Sequence, residues 1–318
     1  MSTAHYVGID YHRWMMQDTK RTVAFRDALQ ALIKPGDVVV DVGAGTGILS
    51  LFAAEAGAGK VYAIEGGPIC SIISKVAEAN GFGDIIVPIQ ADARTVELPE
   101  QGDILMSDCM GHFVLSDRMI DVVAESRHLV KEDGIVIPNI CTLEVAPGAL
   151  GPLLPQIHDW DEPMFGFDFS VGRPYAEHEA YRIQISPGML CGEHEVFAEI
   201  VIGAPSQVWE KTMSWTFHKP TNVDALVGWF TAHMGGDVKI ETAPGIQSHW
   251  GQMAFPIPYL QAQPGERLDM TLRAVVNEMD YPEYSWWGGF YDTNNELIME
   301  FKRDQAQRFN PNGETWHQ

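Results

Sequence analysis

Val38–Gly47 reads VVVDVGAGTG and runs straight into ILSLFAAE at Ile48–Glu55. Val38, Val39 and Val40 form a β-branched apolar run, as expected of a strand buried on both faces. Asp41 ends that run, and Gly43, Gly45 and Gly47 follow at every second position. The apolar residues from Ile48 onward then open a helix that Gly57 can close. In a strand, glycine turn and helix, the backbone can approach a ligand closely, at the carboxyl end of the strand. A second strand, Lys60–Ile64, ends in Glu65 followed by Gly66-Gly67. An acid at that point is placed to hold both hydroxyls of a ribose.

Nicotinamide and flavin folds use the related GxGxxG, so a bare GxG leaves the ligand class open. The GxGxG spacing, with Asp41 before it and Glu65 after the second strand, resembles the nucleoside site of class I S-adenosylmethionine-dependent methyltransferases. A dinucleotide oxidoreductase is the alternative, and a glycine turn that binds nothing is the bland one.

The chain has 318 residues, enough for two domains or one large one. No apolar run approaches the roughly 20 residues that a membrane helix needs. The N-terminus, MSTAHYVGIDYHRW, lacks a basic-then-apolar signal pattern. Cys70, Cys109, Cys141 and Cys191 lie far apart, without CxxC or Cys/His ligand spacing. These features read as a reduced, cytoplasmic protein with no metal and no membrane contact. A net charge of −22 excludes a generic nucleic-acid surface and would steer a cationic acceptor inward, although it also serves solubility.

Asp10–Leu32 reads as one helical segment, and Lys34-Pro35-Gly36-Asp37 punctuates it. After Glu65 a helix is expected over Pro68–Asn80 and a strand over Ile85–Ile89. Asp92, with Ala93 beside it, follows that strand and could accept from an adenine amino group. Asp103–Met106 is a further strand, with Asp108 in the loop after it. Ser116–Leu129 looks helical, and Gly134–Ile137 returns as a strand. This alternation predicts a doubly wound parallel sheet for residues 1–138.

From Pro138-Asn139 onward the pattern changes to period-two strands, most plainly in Leu268, Met270, Leu272, Ala274 and Val276. Further strands are expected at Val196–Ile202, Lys211–Phe217, Ala225–Phe230, Gly251–Phe255, Tyr284–Phe290 and Leu297–Phe301. Residues 139–318 should therefore form an antiparallel sheet or β-barrel domain. Pro152–Glu179, rich in Pro, Asp and aromatics, interrupts it, and the last dozen polar residues read as a loose tail.

Several colinear stretches together resemble the protein arginine methyltransferases. His12-x-x-Met15-Met16-x-Asp18-x-x-Arg21-Thr22 matches the family's H-x-x-M-L-x-D-x-x-R-T helix. VVVDVGAGTGILSLFAAEAGAGKVYAIEG matches its cofactor loop, and Thr95–Pro99 resembles EVELP. Ser107-Asp108-x-Met110-Gly111, followed by Asp117-x-Met119, stands in the place of S-E-W-M-G-Y…E-S-M, the double-E loop. Phe165–Ser170 and Ser248-His249-Trp250-x-Gln252 correspond to YGFDMS and T-H-W-K-Q. The resemblance implies a Rossmann-like domain, a β-barrel, and a dimerisation arm at about 152–179, hence a homodimer. It also implies S-adenosylmethionine as cofactor, with S-adenosylhomocysteine as product. Arg21 would hold the methionine carboxylate, Glu65 the ribose, and the Gly43–Gly47 turn the nucleoside, with His12 and Asp41 in the same site. Asp18 and His249 would pair across the pocket floor, and Met15 would lie near the transferred methyl.

Three departures bear on the acceptor. Both family glutamates that clamp the guanidinium are aspartates, Asp108 and Asp117. The Trp and Tyr of the loop are Cys109 and His112. Arg94 replaces the adenine-contacting acid, leaving Asp92 as the adenine acceptor. Two carboxylates can grip a guanidinium bidentately and draw charge from its attacking nitrogen. Each Glu-to-Asp change shortens an arm by about 1.5 Å of bond length. Three functions fit the residues: methylation of a guanidino or other cationic nitrogen in a peptide, protein or small molecule, methylation of a carboxylate, amine or hydroxyl on the same scaffold, and non-catalytic cofactor binding.

Overall fold

The computed structural model describes residues 8–151, 154–276 and 282–307. The side chain of Asp117 and the polar tail beyond residue 307 lie outside the described residues. Strands β1 (Val38–Val42), β2 (Lys60–Ile64), β3 (Ile86–Ile89), β4 (Gly102–Ser107) and β5 (Val130–Ile137) form a parallel sheet in the order β3-β2-β1-β4-β5. The valine run occupies the central strand, where Val39 and Val40 are wholly buried. Strand order reverses between β1 and β4, and a cleft for ligand opens at the carboxyl ends of strands at such a point.

Helices α1 (Ile9–Met16), α2 (Thr19–Leu32), α3 (Ile48–Glu55), α4 (Ile73–Ala79) and α5 (Met119–Glu125) accompany the sheet. The single helix expected over Asp10–Leu32 is broken at Gln17-Asp18. Apolar spacing runs through the break, but Asp18 caps α2 by accepting from the Arg21 backbone N–H at 3.3 Å. Likewise Pro68–Asn80 divides into a 3₁₀ turn, Pro68–Ile72, and α4. No helix among the described residues is long and apolar enough to cross a membrane.

The second part of the chain is antiparallel. β6 (Ile140–Gly148), β7 (Tyr181–Ile183), β8 (Glu195–Val201), β10 (Thr221–Gly235) and β12 (Gln252–Ala262) pair in the order β7-β12-β10-β6-β8, with β11 (Val238–Glu241) on β10. β9 (Trp209–Thr216), β13 (Arg267–Val276), β14 (Pro282–Tyr291) and β15 (Leu297–Asp304) pair as β15-β14-β13-β9. Ladder pairing among the described residues thus makes two sheets rather than one closed ring. The period-two pattern of β13 holds: Leu268, Met270, Leu272 and Ala274 are buried. Between β6 and β7 come the short helices α6 (Pro155–His158) and α7 (Arg173–Ala176).

One continuous apolar core joins the parallel and antiparallel parts. Phe113, in the loop after β4, packs its ring 5.9 Å from Phe255, 6.2 Å from Tyr284 and 6.3 Å from Phe197. Trp286 is the largest wholly buried side chain, and its indole N–H donates to the Pro256 carbonyl at 2.7 Å, tying the two antiparallel sheets together. Trp286→Ala removes the ring and one buried hydrogen bond, and should cost about 3–5 kcal/mol of stability in denaturant unfolding. A loss under about 1 kcal/mol would show that the core can close over that position.

Candidate active site

A cavity of about 1110 Å³ opens at the carboxyl ends of β1 and β4, with α1 forming one wall. The glycine turn builds its floor. Gly43 and Ala44 N–H donate to the Ile64 carbonyl at 2.9 and 3.0 Å, folding the turn over the end of β2. Glu65 clasps the turn from the other side: Oε2 accepts from Gly45 N–H at 2.9 Å and Oε1 from Gly67 N–H at 2.6 Å. Gly43 and Gly45 have φ of +77° and +55°. A Cβ at Gly43 would lie 2.5 Å from Cys109 Sγ, and one at Gly45 would lie 3.1 Å from the His12 ring. Both positions need glycine for conformation and for space. Thr46 Oγ1 donates to Met16 Sδ at 3.3 Å, tethering α1 to the same turn.

The break between α1 and α2 brings the charged groups together. Asp18 Oδ2 accepts from both the backbone N–H and the ring Nδ1 of His249, at 3.0 and 2.9 Å. Burial works to raise the Asp18 pKa, but the bonds from His249 and the Arg21 backbone outweigh it and hold the carboxyl at about 2. A carboxylate can only accept, so Nδ1 carries the hydrogen and Nε2 of neutral His249 is the basic nitrogen. Burial also pulls the imidazole below its ordinary value, with Asp18 opposing. Arg21 Nη1 donates to the Met15 carbonyl at 3.2 Å, and Nη2 pairs with Asp108 Oδ2. Burial lowers the guanidinium to about 10, against nearby Asp18, so it stays charged at neutral pH. His112 Nδ1 donates to the Trp250 carbonyl at 2.8 Å.

Two buried atoms in this cluster have no hydrogen-bond partner: Arg21 Nε and Asp108 Oδ1. A buried donor and a buried acceptor left unsatisfied side by side are costly unless a ligand completes them. With the bare glycine turn and Glu65, Arg21 fits S-adenosylmethionine, the cofactor that the resemblance implies: Arg21 suits its carboxylate, the turn and Glu65 its nucleoside.

Of the residues singled out from sequence, His12, Met15, Arg21, Gly43, Gly45, Glu65, Asp108 and His249 all line the cavity. Asp18 stands behind His249 and acts on the cavity through it. Asp41, Gly47, Asp92 and Ala93 are not on its wall. Asp41 is buried beneath the turn, accepting from Ser50 Oγ at 2.6 Å, and burial pushes its carboxyl up to about 7. Asp92 is gripped by its neighbour Arg94, whose Nε lies 2.9 and 3.1 Å from the two carboxylate oxygens, which holds it below the usual carboxylate range. Arg94 therefore occupies the group expected to accept from adenine. Sequence reasoning missed Tyr11 and the 3₁₀ turn Pro68–Ile72, both of which line the cavity. The signals were available: Tyr11 is one helical turn before Met15, and a proline follows directly on Gly67.

A family model of the TRM5/TYW2 methyltransferase domain matches residues 6–140. The chain is 31% identical over 312 residues to protein arginine N-methyltransferase PRMT10 of Oryza sativa subsp. japonica, with 85% of this chain and 82% of that protein covered. It is 28% identical over 282 residues to protein arginine N-methyltransferase 1 of Saccharomyces cerevisiae, covering 84% and 81%. Among solved structures it resembles the Trypanosoma brucei PRMT1 enzyme–prozyme heterotetrameric complex with AdoHcy, at TM-score 0.83 and 26% identity, over 92% of this chain and 96% of that one. Arabidopsis thaliana protein arginine methyltransferase 10 has the same fold, with TM-score 0.81, 23% identity and 94% and 98% coverage.

The Asp18–His249 pair generates a pH test. A carboxyl held at about 2 against an ordinary 3.8 stabilises the fold above the ordinary value, and that stabilisation is lost as pH falls from 3.8 through about 2. The stability gap between wild type and Asp18→Asn, read from urea midpoints, should be wide above about pH 5 and narrow steadily below about pH 4. A gap independent of pH from about 2 to 6 would mean that Asp18 is not the ionised partner.

Proposed function

The chain belongs to the protein arginine N-methyltransferase family and is an S-adenosylmethionine-dependent methyltransferase, and we propose that it methylates a guanidino nitrogen of a peptide or protein in a pocket recut around Asp108. The observation that carries this reading is the buried Asp108 Oδ1, an anionic acceptor atom without a partner in the cavity wall. An N–H of a cationic acceptor would satisfy it, and charge-assisted bonds of this kind are the strong ones.

Bound S-adenosylmethionine supplies an electrophilic methyl group on its sulfonium. The chain's residues do the positioning. Asp108 holds the acceptor by its remaining oxygen and draws positive charge away from the attacking nitrogen. Asp117 is proposed as the second acid of the pair. Met15, on the cavity wall, limits where the nitrogen can stand. His249, held by Asp18 with Nε2 basic, accepts the proton that the nitrogen loses as its new N–C bond forms. A mobile side chain could not orient the nitrogen in line, and placement of this kind accounts for much of the rate in such displacements. The −22 charge of the chain favours approach of cationic peptides.

A homodimer formed through the 152–179 arm belongs to the same proposal. Phe165 is fully exposed, Phe167 68% and Val171 77%, on a segment whose base is closed by the Arg173–Asp161 and Arg173–Glu177 ion pairs. Clustered apolar exposure of that kind marks an interface. Light scattering at micromolar concentration should give about twice the chain mass, and Phe165→Asp with Phe167→Asp should give monomer. A wild-type monomer under these conditions refutes the arm as an interface.

Asp108→Asn tests the acceptor site. Tritium from labelled cofactor should enter arginine peptides at least about 10²-fold more slowly, the scale of losing one charge-stabilising group. Affinity for S-adenosylhomocysteine should rise, because Arg21 loses the carboxylate that now competes for it. Near-normal turnover in this variant would move the acceptor contact elsewhere.

A further inference from the structure

Tyr11 and Trp14 stand three residues apart on α1 and share one face of it. Their ring centroids are 5.4 Å apart, and Trp14 meets the His249 ring edge-on at 5.7 Å. His249 in turn lies 3.9 Å from Trp250, which is 3% exposed at the cavity floor. An unbroken file of rings therefore leads from the surface into the active site. Among the described residues its outer end is open, with Tyr11 45% and Trp14 43% exposed, on a helix that buries none of its residues.

The charges beside the file decide what it suits. Arg13 is exposed next to Trp14 on the same helix. Arg182 donates to the His249 carbonyl, and to the Trp250 carbonyl at 3.1 Å. Asp10, exposed on the first turn of α1 four residues before Trp14, offsets Arg13. Asp18 is already taken by His249, which leaves Arg182, among the described residues, as the uncompensated charge at the inner end. A second cation next to the methylated residue would meet Arg182 at the inner end of the file. A flat apolar ring would meet two bare aromatic faces, and aromatic pairs gain from offset or edge-to-face contact beyond the area they bury.

We propose that Tyr11 and Trp14 form a subsite for an aromatic side chain immediately flanking the methylated arginine of the acceptor. The proposal rests on the reading of the cavity as an arginine-methylating site. The spacing suits it: Tyr11 and Met15 both line the cavity one helical turn apart, about 5.4 Å of rise, or roughly one and a half residues of extended peptide. Trp14 lies off the cavity wall, with its ring 5.7 Å from that of His249, which does line it, and would determine specificity without touching the reacting atoms.

The test uses the chain as it stands with three peptides, in which one arginine is flanked by Phe, Gly or Lys. The Phe-flanked peptide should show a KM about tenfold below the Gly-flanked one, from contacts to two rings. Trp14→Ala and Tyr11→Ala should each bring the Phe:Gly ratio of kcat/KM towards one, and Trp14→Phe should restore most of it. Methylation without flank preference, or with the Lys-flanked peptide preferred, overturns the subsite and leaves the activity standing. A Trp14→Ala that lowers every peptide equally also overturns it, because the indole then only supports α1. If S-adenosylhomocysteine binds and no arginine peptide of any kind accepts a methyl group, the acceptor reading itself has failed, and the subsite with it.

Discussion

Asp18 accepts from three donors: the Arg21 backbone, the His249 backbone and the His249 ring. The first bond stops one helix and starts the next. The other two reach 231 residues along the chain and pull the loop before β12 against that corner. Arg21 and His249 in the cavity both depend on this junction. It sets α1 over the glycine turn, aims Arg21 at Asp108, and fixes which nitrogen of His249 is basic. An apolar substitute for this carboxylate would leave three part-buried donors unpaired.

The fold was legible where burial dictates a period. The valine run of β1 had to be buried on both faces, and it is the central strand. Leu268 to Ala274 alternate because β13 has one face in the core. Boundaries set by single side chains were not legible. Nothing in the apolar spacing of Asp10–Leu32 separates α1 from α2, since the separation arises from one capping carboxylate whose other partners are remote. β10 runs from Thr221 to Gly235, far beyond the Ala225–Phe230 core visible as a strand, because its ends pair with neighbours whatever their own pattern.

The site was legible in proportion to how local its chemistry is. Gly43, Gly45 and Glu65 lie in the turns after two adjacent strands, so their meeting follows from strand order. Asp92 lies off the cavity wall, where Arg94, two residues on, pairs with both its oxygens. Asp41 precedes the glycines in sequence but points beneath the turn into the core, where Ser50 meets it. An acid in a motif therefore need not be an acid in the site; the direction of a side chain at a strand end alternates, and one residue reverses it.

The loop that carries Asp108 joins these points. Phe113 and Val114 have φ of +55° and +63°, and a β-branched residue rarely tolerates that region. Such strain costs about 1–3 kcal/mol per residue and persists only where surroundings impose it. Here the imposing surroundings are Phe197, Phe255 and Tyr284, which clamp Phe113 from the antiparallel side. At its other end the loop is fixed by Ser107, whose Oγ donates to the Val42 carbonyl at 2.9 Å. A loop pinned at both ends cannot slide inward to make up for a shorter acid. In the proposed reading, an acceptor nitrogen held by aspartate at residue 108 comes closer to the ends of β1 and β4 than a glutamate would require. Cys109 and His112, smaller than the Trp and Tyr of the related motif, line the same cavity and suit that deeper approach. In that reading the differences at residues 108, 109 and 112 act as one change: shorter reach, and room to be reached.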